Sequence, residues 1–179
     1  MQIRTQKTCP PHRLAGLGVW AGLCSTSLAC EKRRAIVETD LRMTKLIITA
    51  GPYTFDARLE TEAAPKTCAA FSKHLPFKSQ VVHVRWSGEG VWIPLGDLDF
   101  GVGYENHTSY PAPGQIILYP GGISETEILL AYGGVRFASK MGQLAGNHFI
   151  TLTSGLENLL PLGKLALWKG AQDIVFERA

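Results

Sequence analysis

Lys45-Leu46-Ile47-Ile48-Thr49-Ala50, then Gly51-Pro52, then Tyr53-Thr54-Phe55-Asp56-Ala57-Arg58-Leu59 is the stretch on which the fold turns. The first run is short, apolar and partly β-branched. The second alternates, with Tyr53, Phe55, Ala57 and Leu59 on one face and Thr54, Asp56 and Arg58 on the other. Period-two alternation is the signature of a half-buried strand. Two such runs around a Gly-Pro break form an antiparallel hairpin with one face on a core. Pro65 then opens a helix through about His74. Proline suits the first helical turn, and Cys68, Phe71 and Leu75 recur at helical spacing. Pro76 ends it.

The same signals continue downstream. Gln80–Trp86 reads as a strand with Val82, Val84 and Trp86 on one face and Val81, His83 and Arg85 on the other. Ser87-Gly88-Glu89-Gly90 is a turn, and Val91–Leu95 the returning strand. Gly96–Gly114 is a long irregular segment, a type usually functional or mobile. Gln115–Tyr119 and Thr126–Tyr132 are strands around Pro120-Gly121-Gly122, and His148–Thr153 is another. Leu156–Leu160 reads as a short helix, and Lys164–Trp168 and Asp173–Glu177 as the last strands. Eight or so short strands with two brief helices predict a mainly β protein, a closed eight-stranded barrel with two short capping helices.

The chain has 179 residues, of which 45% are hydrophobic and 18% charged, a balance that excludes a disordered chain or a coiled coil. Charge is unevenly distributed. Residues 1–42 hold seven Lys or Arg against three Asp or Glu, and residues 43–179 hold eleven against twelve. A body so close to neutral excludes a phosphate-backbone binder, so no nucleic-acid partner is expected. Cys9, Cys24 and Cys30 precede residue 43 and only Cys68 follows it, so the body forms no internal disulfide. No Cys-x-x-Cys pair is present to build a zinc site.

The chain thus divides into an extension, residues 1–42, and a barrel domain, residues 43–179. The extension has a basic start (Arg4, Lys7, Arg13), an uncharged run Leu14–Cys30 and a small-x-small sequence, Ser27-Leu28-Ala29. It reads either as an unstructured or mis-assigned start ahead of Met43, or as a cleaved export signal. The apolar run is short for a membrane span of about 20 residues. The expected location is cytoplasmic, with export as the alternative, and no membrane association is expected for the body.

Several motifs resemble a known family. Ala64-Pro65-Lys66-Thr67 followed by Phe71 resembles the helix after the first hairpin of cyclophilins. His83-Val84-Arg85 with Gly90 and Gly96-Asp97 resembles their next hairpin. Phe149 through Glu157 resembles their strand-to-helix joint near the C-terminus. The compact bacterial cyclophilin-like proteins of unknown function are similar in Arg85-Trp86-Ser87-Gly88-Glu89, Trp92, Tyr110–Gly114 and Tyr119-Pro120-Gly121-Gly122. The resemblance spans most of residues 44–178 and implies a closed eight-stranded barrel. It also implies that Arg85 stands near the arginine with which prolyl isomerases hold the prolyl carbonyl. The apolar proline pocket is not carried over. Val91 replaces an aromatic, Pro94 a glutamine, and Glu127-Ile128-Leu129-Leu130 the Gln-Phe-Phe strand.

The candidate ligand-binding residues are Arg85, Glu89, Trp92, Tyr119 and Glu125. Arginine offers a planar fork for carboxylates, and tryptophan a flat apolar wall. The competing reading of Arg85 and Glu89 is a surface ion pair over a core tryptophan. Glu125 and Glu127, two apart, share a strand face; such pairs do acid–base work or hold a metal, or are simply solvated. His83, His107 and His148 lack paired metal-ligand spacing, so no metal and no cofactor are expected. Neither a phosphate loop nor a nucleophile elbow is present. The expected function is binding of a small polar or carboxylated metabolite, with or without catalysis. The alternatives are a weak prolyl isomerase and a protein-interaction module, and self-association is compatible with any of them. Arg85, Glu89, Trp92 and Tyr119 are expected on one concave surface with the 96–114 segment over or beside it.

The charge and cysteine break at Met43 makes a prediction. A chain beginning at Met43 should give a cooperative melt close to that of the full chain. An unfolded spectrum would show that the first 42 residues belong to the fold.

Overall fold

A computed structural model describes residues 44–179, and the expected extension lies outside the described residues. The first hairpin is present as β1 (Lys45–Ala50) and β2 (Tyr53–Leu59), paired from Lys45–Arg58 to Ala50–Tyr53. Phe55, Ala57 and Leu59 are buried and Thr54, Asp56 and Arg58 exposed, as alternation requires. α1 (Pro65–Ser72) follows, with the proline in its first turn. The next strands are β3 (Phe77–His83), β4 (Gly88–Pro94) and a two-residue β5 (His107–Thr108). β6 (Gln115–Tyr119) and β7 (Glu127–Val135) form a second long hairpin. A small hairpin, β8 (Ala138–Ser139) and β9 (Gly142–Gln143), leads into β10 (Gly146–Leu152). A 3-10 turn (Leu156–Asn158), α2 (Leu159–Lys169) and β11 (Gln172–Arg178) complete the chain.

Eight strands close into a ring in the order β2-β1-β11-β3-β4-β7-β6-β10, and β10 pairs back onto β2 through Ile150–Leu59 to Leu152–Ala57. Closure leaves none of the eight with a free edge. The mainly β barrel capped by two short helices is therefore present as expected. Inside it, Phe71 of α1 packs against the rings of Phe77, Phe149 and Phe176, with centroids 5.1 to 5.5 Å apart. At the opposite end α2 buries Leu159, Leu162, Gly163 and Ala166. The 96–114 segment crosses the α1 end, where Phe100 and Val102 pack on the core and Phe100 meets the His74 ring.

Two departures have clear causes. Lys164–Trp168, expected as a strand, is the second half of α2. The apolar residues there follow a three-to-four spacing from Leu159 to Ala166, while Leu160, Leu167 and Trp168 stay exposed and blur the period. β3 begins at Phe77 and ends at His83, so Arg85 and Trp86 sit in the turn rather than on the strand. Val84 is buried, whereas Trp86 is 57% exposed, so they do not share a face.

A second core lies outside the barrel. Ile116 and Leu118 of β6, and Ile128 and Leu130 of β7, point inward. Ile117, Tyr119, Leu129 and Ala131 point outward and are also buried, with Val84, Val135, Phe137 and Leu144. The β8–β9 hairpin covers them. Phe137 anchors it from below, and the Ser87 hydroxyl donates to the Ala138 carbonyl and accepts from the Ala138 N–H. Arg136 braces it by donating twice to the Gln143 side-chain oxygen.

Gly163 fixes the seating of α2. A Cβ there would stand 2.5 Å from three atoms of the Tyr132 ring, whose hydroxyl is 2.8 Å from His83 Nε2. Gly163→Ala should therefore cost roughly 1–3 kcal/mol through overpacking. Thermal denaturation checks this, and a melting temperature matching the parent's would refute it.

Candidate functional site

The outer core does not reach the end of the wall it covers. Beyond it lies a cavity of about 260 Å³, lined by Val84, Arg85, Trp86 and Ser87 from the β3–β4 turn and Trp92 from β4. Ser124 and Glu125 from the β6–β7 connection and Glu127 from β7 line it too, as do Ala138, Ser139 and Lys140 of the hairpin. Strand parity explains the membership. Val91 and Ile93 face the barrel interior, so Trp92 faces out; Ile128 and Leu130 face in, so Glu127 faces out.

Three of the five expected residues, Arg85, Trp92 and Glu125, share this cavity. Glu89 and Tyr119 do not line it. The Glu89 carboxylate folds over Gly133 and accepts the Gly134 N–H at 2.8 Å, next to an irregularity in the β4–β7 register. It makes no ion pair with Arg85, whose guanidinium instead lies 5.8 Å from the Trp86 ring centroid. Tyr119 is buried beneath the site. Its ring meets Phe137 edge-on, and its hydroxyl accepts the Ile123 N–H at 3.2 Å. That bond holds the Pro120-Gly121-Gly122 bend, in which both glycines have positive φ, and so places Ser124 and Glu125 at the cavity. The 96–114 segment is not among the lining residues; the cover is the β8–β9 hairpin.

Glu127, the other half of the Glu125–Glu127 pair, is the buried member of it. The residue is only 7% exposed, and among the described residues its carboxylate has neither hydrogen-bond nor ion-pair partner, its oxygens keeping contact with solvent in the cavity. It sits across from Pro94 of β4, which lacks an N–H, and from Tyr119 of β6. Burial, and secondarily the Glu125 charge, push its carboxyl up from the ordinary 4.5 to about 7. Glu125 itself is exposed and accepts the Gly96 N–H at 3.1 Å. The site thus pairs one anchored carboxylate with one unanchored carboxyl that burial raises toward neutrality, in a cavity that Trp86, Trp92, Arg85 and Lys140 also line.

Other reactive groups are elsewhere and committed. The Cys68 thiol donates to the Phe149 carbonyl, and burial pushes it up to about 12, so it is no nucleophile. His148, lowered by burial, contacts the Thr151 hydroxyl, which donates to Glu60. Among the described residues no group of three His, Cys, Asp or Glu side chains could hold a metal ion, and no helix is long and apolar enough to cross a membrane.

Residues 46–177 match the family model described as "Protein of unknown function (DUF3830)". The chain belongs to this family. No curated protein matches this DUF3830 chain by sequence. Among solved structures, it resembles that of McbB in complex with tryptophan at a TM-score of 0.58 and 16% identity, covering 74% of this chain and 44% of McbB. The DUF3830 chain thus spans less than half the length of McbB, and at this identity the likeness concerns the fold alone. It also resembles a hypothetical protein of Archaeoglobus fulgidus, at a TM-score of 0.48, 18% identity and 76% and 95% coverage. A cyclophilin-type peptidyl-prolyl cis-trans isomerase of Cryptosporidium parvum matches at 0.48, 15% identity and 76% and 98% coverage. The closed barrel, with a helix after the first hairpin and another before the last strand, has the cyclophilin-like fold that the motifs implied.

The Glu127 geometry makes a prediction with a definite sign. The folded state holds the carboxyl protonated up to about pH 7, and the unfolded state releases it near 4.5. Its stabilising difference is thus complete below the lower value, and stability falls as pH rises between the two. Glu127→Gln should melt like the parent at pH 4 and be more stable at pH 8, by on the order of 1–3 kcal/mol. Equal melting temperatures at pH 8 would refute this.

Proposed function

We propose that the cavity between the β3–β4 turn and the β8–β9 hairpin binds a small carboxylated metabolite, with Glu127 as its proton-exchanging group. The observation that carries this reading is a largely buried glutamate whose carboxyl takes no protein partner and opens to a cavity that Arg85, without an ion-pair partner, also lines. A carboxyl shifted toward neutrality in a cleft, with no partner from its own protein, is suited to an incoming partner or a reaction. Arg85, exposed and without an ion-pair partner among the described residues, holds the ligand's carboxylate through its fork. Trp86 and Trp92 supply apolar walls. An acid near neutrality between them is suited to give or take a proton at a bound molecule.

McbB was solved in complex with tryptophan, a small molecule with an aromatic body, which is compatible with this reading and does not carry it. Prolyl isomerisation is the less favoured alternative. The resemblance places Arg85 near the isomerases' arginine, but the outward positions of β7 begin with Glu127, followed by Leu129 buried under the outer core. A protein-docking role draws on no comparable feature.

Arg85→Ala should weaken binding of a simple aromatic acid such as 3-phenylpropanoate by about 10- to 100-fold, the effect of losing one charge-assisted pair. Its melting temperature should stay close to the parent's, since Arg85 has no ion-pair partner among the described residues. Calorimetric titration reads the first and thermal denaturation the second. Unchanged affinity, or a melt many degrees lower, would overturn the role of Arg85.

A further inference from the structure

We propose that the ligand of this cavity also carries a basic amine, whose ammonium group seats against Glu127 and Glu125 and beside Trp92. The inference rests on the reading of the cavity as a ligand site and names what must fill its acidic half.

Charge in the cavity is unmatched. Two carboxyls line the cavity, and neither is neutralised by the protein. Glu125 takes one backbone N–H and stays exposed. Glu127 takes nothing from the protein, although the residue is only 7% exposed, and its oxygens open to the cavity. The groups that face it are few. Glu125 approaches from the preceding connection and repels it. Tyr119 flanks it on β6 with its hydroxyl accepting the Ile123 N–H and hydrogen-bonded with Tyr104, and Pro94 flanks it on β4 without a donor. Arg85 and Lys140 line the same cavity but form no ion pair with it. What is missing beside Glu127 is therefore a cation with N–H groups. An ammonium group supplies both, and an adjoining indole face adds cation–π attraction. An alkyl or aryl body on the amine then lies along Trp86 and Trp92, toward the exposed Ile123 and Met141 next in sequence to Ser124 and Lys140.

Seating a cation there couples binding to a proton. Near neutrality Glu127 is part protonated and a simple amine is already charged in solution. On binding, the Glu127 O–H breaks, its proton passes to solvent, and the carboxylate accepts the ammonium N–H. No other bond changes.

The test uses the full chain with phenethylamine as an amine lacking a carboxylate and 3-phenylpropanoate as an acid lacking an amine. Titrations run at pH 6 and pH 8 in buffers of different ionisation enthalpy. Phenethylamine should bind roughly tenfold more tightly at pH 8 than at pH 6, with proton release near pH 7. Glu127→Gln should remove the pH dependence and most of the affinity. Because that variant alters the site itself, the parent's Glu127 carboxyl is also followed by NMR, and phenethylamine should lower its titration midpoint. Binding of 3-phenylpropanoate without phenethylamine would overturn the amine and leave the cavity reading standing. Phenethylamine affinity that is flat with pH, or a Glu127 midpoint it does not move, would also overturn the amine. Binding of neither probe would overturn both.

Discussion

A barrel wall that is apolar on both of its faces cannot face water on either. β6 and the first part of β7 are in that position: Ile116 through Tyr119 and Ile128 through Ala131 are buried without a break. The inward side chains fill the barrel, and the outward ones need a second cover. The β8–β9 hairpin supplies it, pinned by Phe137 and Leu144 in the outer core and by the Ser87 hydroxyl at its edge. The candidate site follows from this demand. The cover is shorter than the wall, and the strip left over is walled by Trp92, Trp86 and the hairpin edge.

The carboxylates of the body show how unusual that strip is. Glu105 accepts the Thr67 N–H, Glu60 accepts from Arg58 and Thr151, and Glu89 accepts the Gly134 N–H. Each gives order to a loop or strand end. Glu127 orders nothing of its own chain and sits where desolvation opposes its charge. A sequence under selection for stability alone would place a neutral amide or an aliphatic side chain there. A local departure from the satisfied pattern of the surrounding fold is where functional demand is expected to show.

Most of the fold was legible because the signals were local. Alternation in Tyr53–Leu59, the Pro65 helix start and the Pro-Gly-Gly bend specify their elements within a few residues. The failures were places where tertiary context decides. The apolar exposed side of α2 hid its helical period, and the two-residue strands β8 and β9 are too short to leave a pattern. At the site, parity around a short turn was enough to join Arg85 and Trp92, and Glu125 fell beside them. Tyr119 lies buried rather than on the expected concave surface, because nothing local reveals the hairpin that covers it. Glu127, which its spacing from Glu125 equally allows as a solvated strand face, is buried for the same reason. The unbroken apolar runs on β6 and β7 were the available signal, since strands covered on one side alternate and strands covered on both do not.

The seam of the barrel has a consequence for how the molecule is made. The hairpin at residues 45–59 is held between β11 and β10, so both of its outer edges wait for partners from residues 146–178. During synthesis at 5–20 residues per second, roughly, that hairpin stays open-edged for several seconds before its neighbours exist. Ring closure then joins segments about ninety residues apart, a high contact order that slows folding. The same closure that protects the finished barrel from edge-to-edge pairing leaves the nascent chain dependent on its last strands: a truncation that removes β11 would expose the β1 flank of the first hairpin, and one that also removes β10 would expose both.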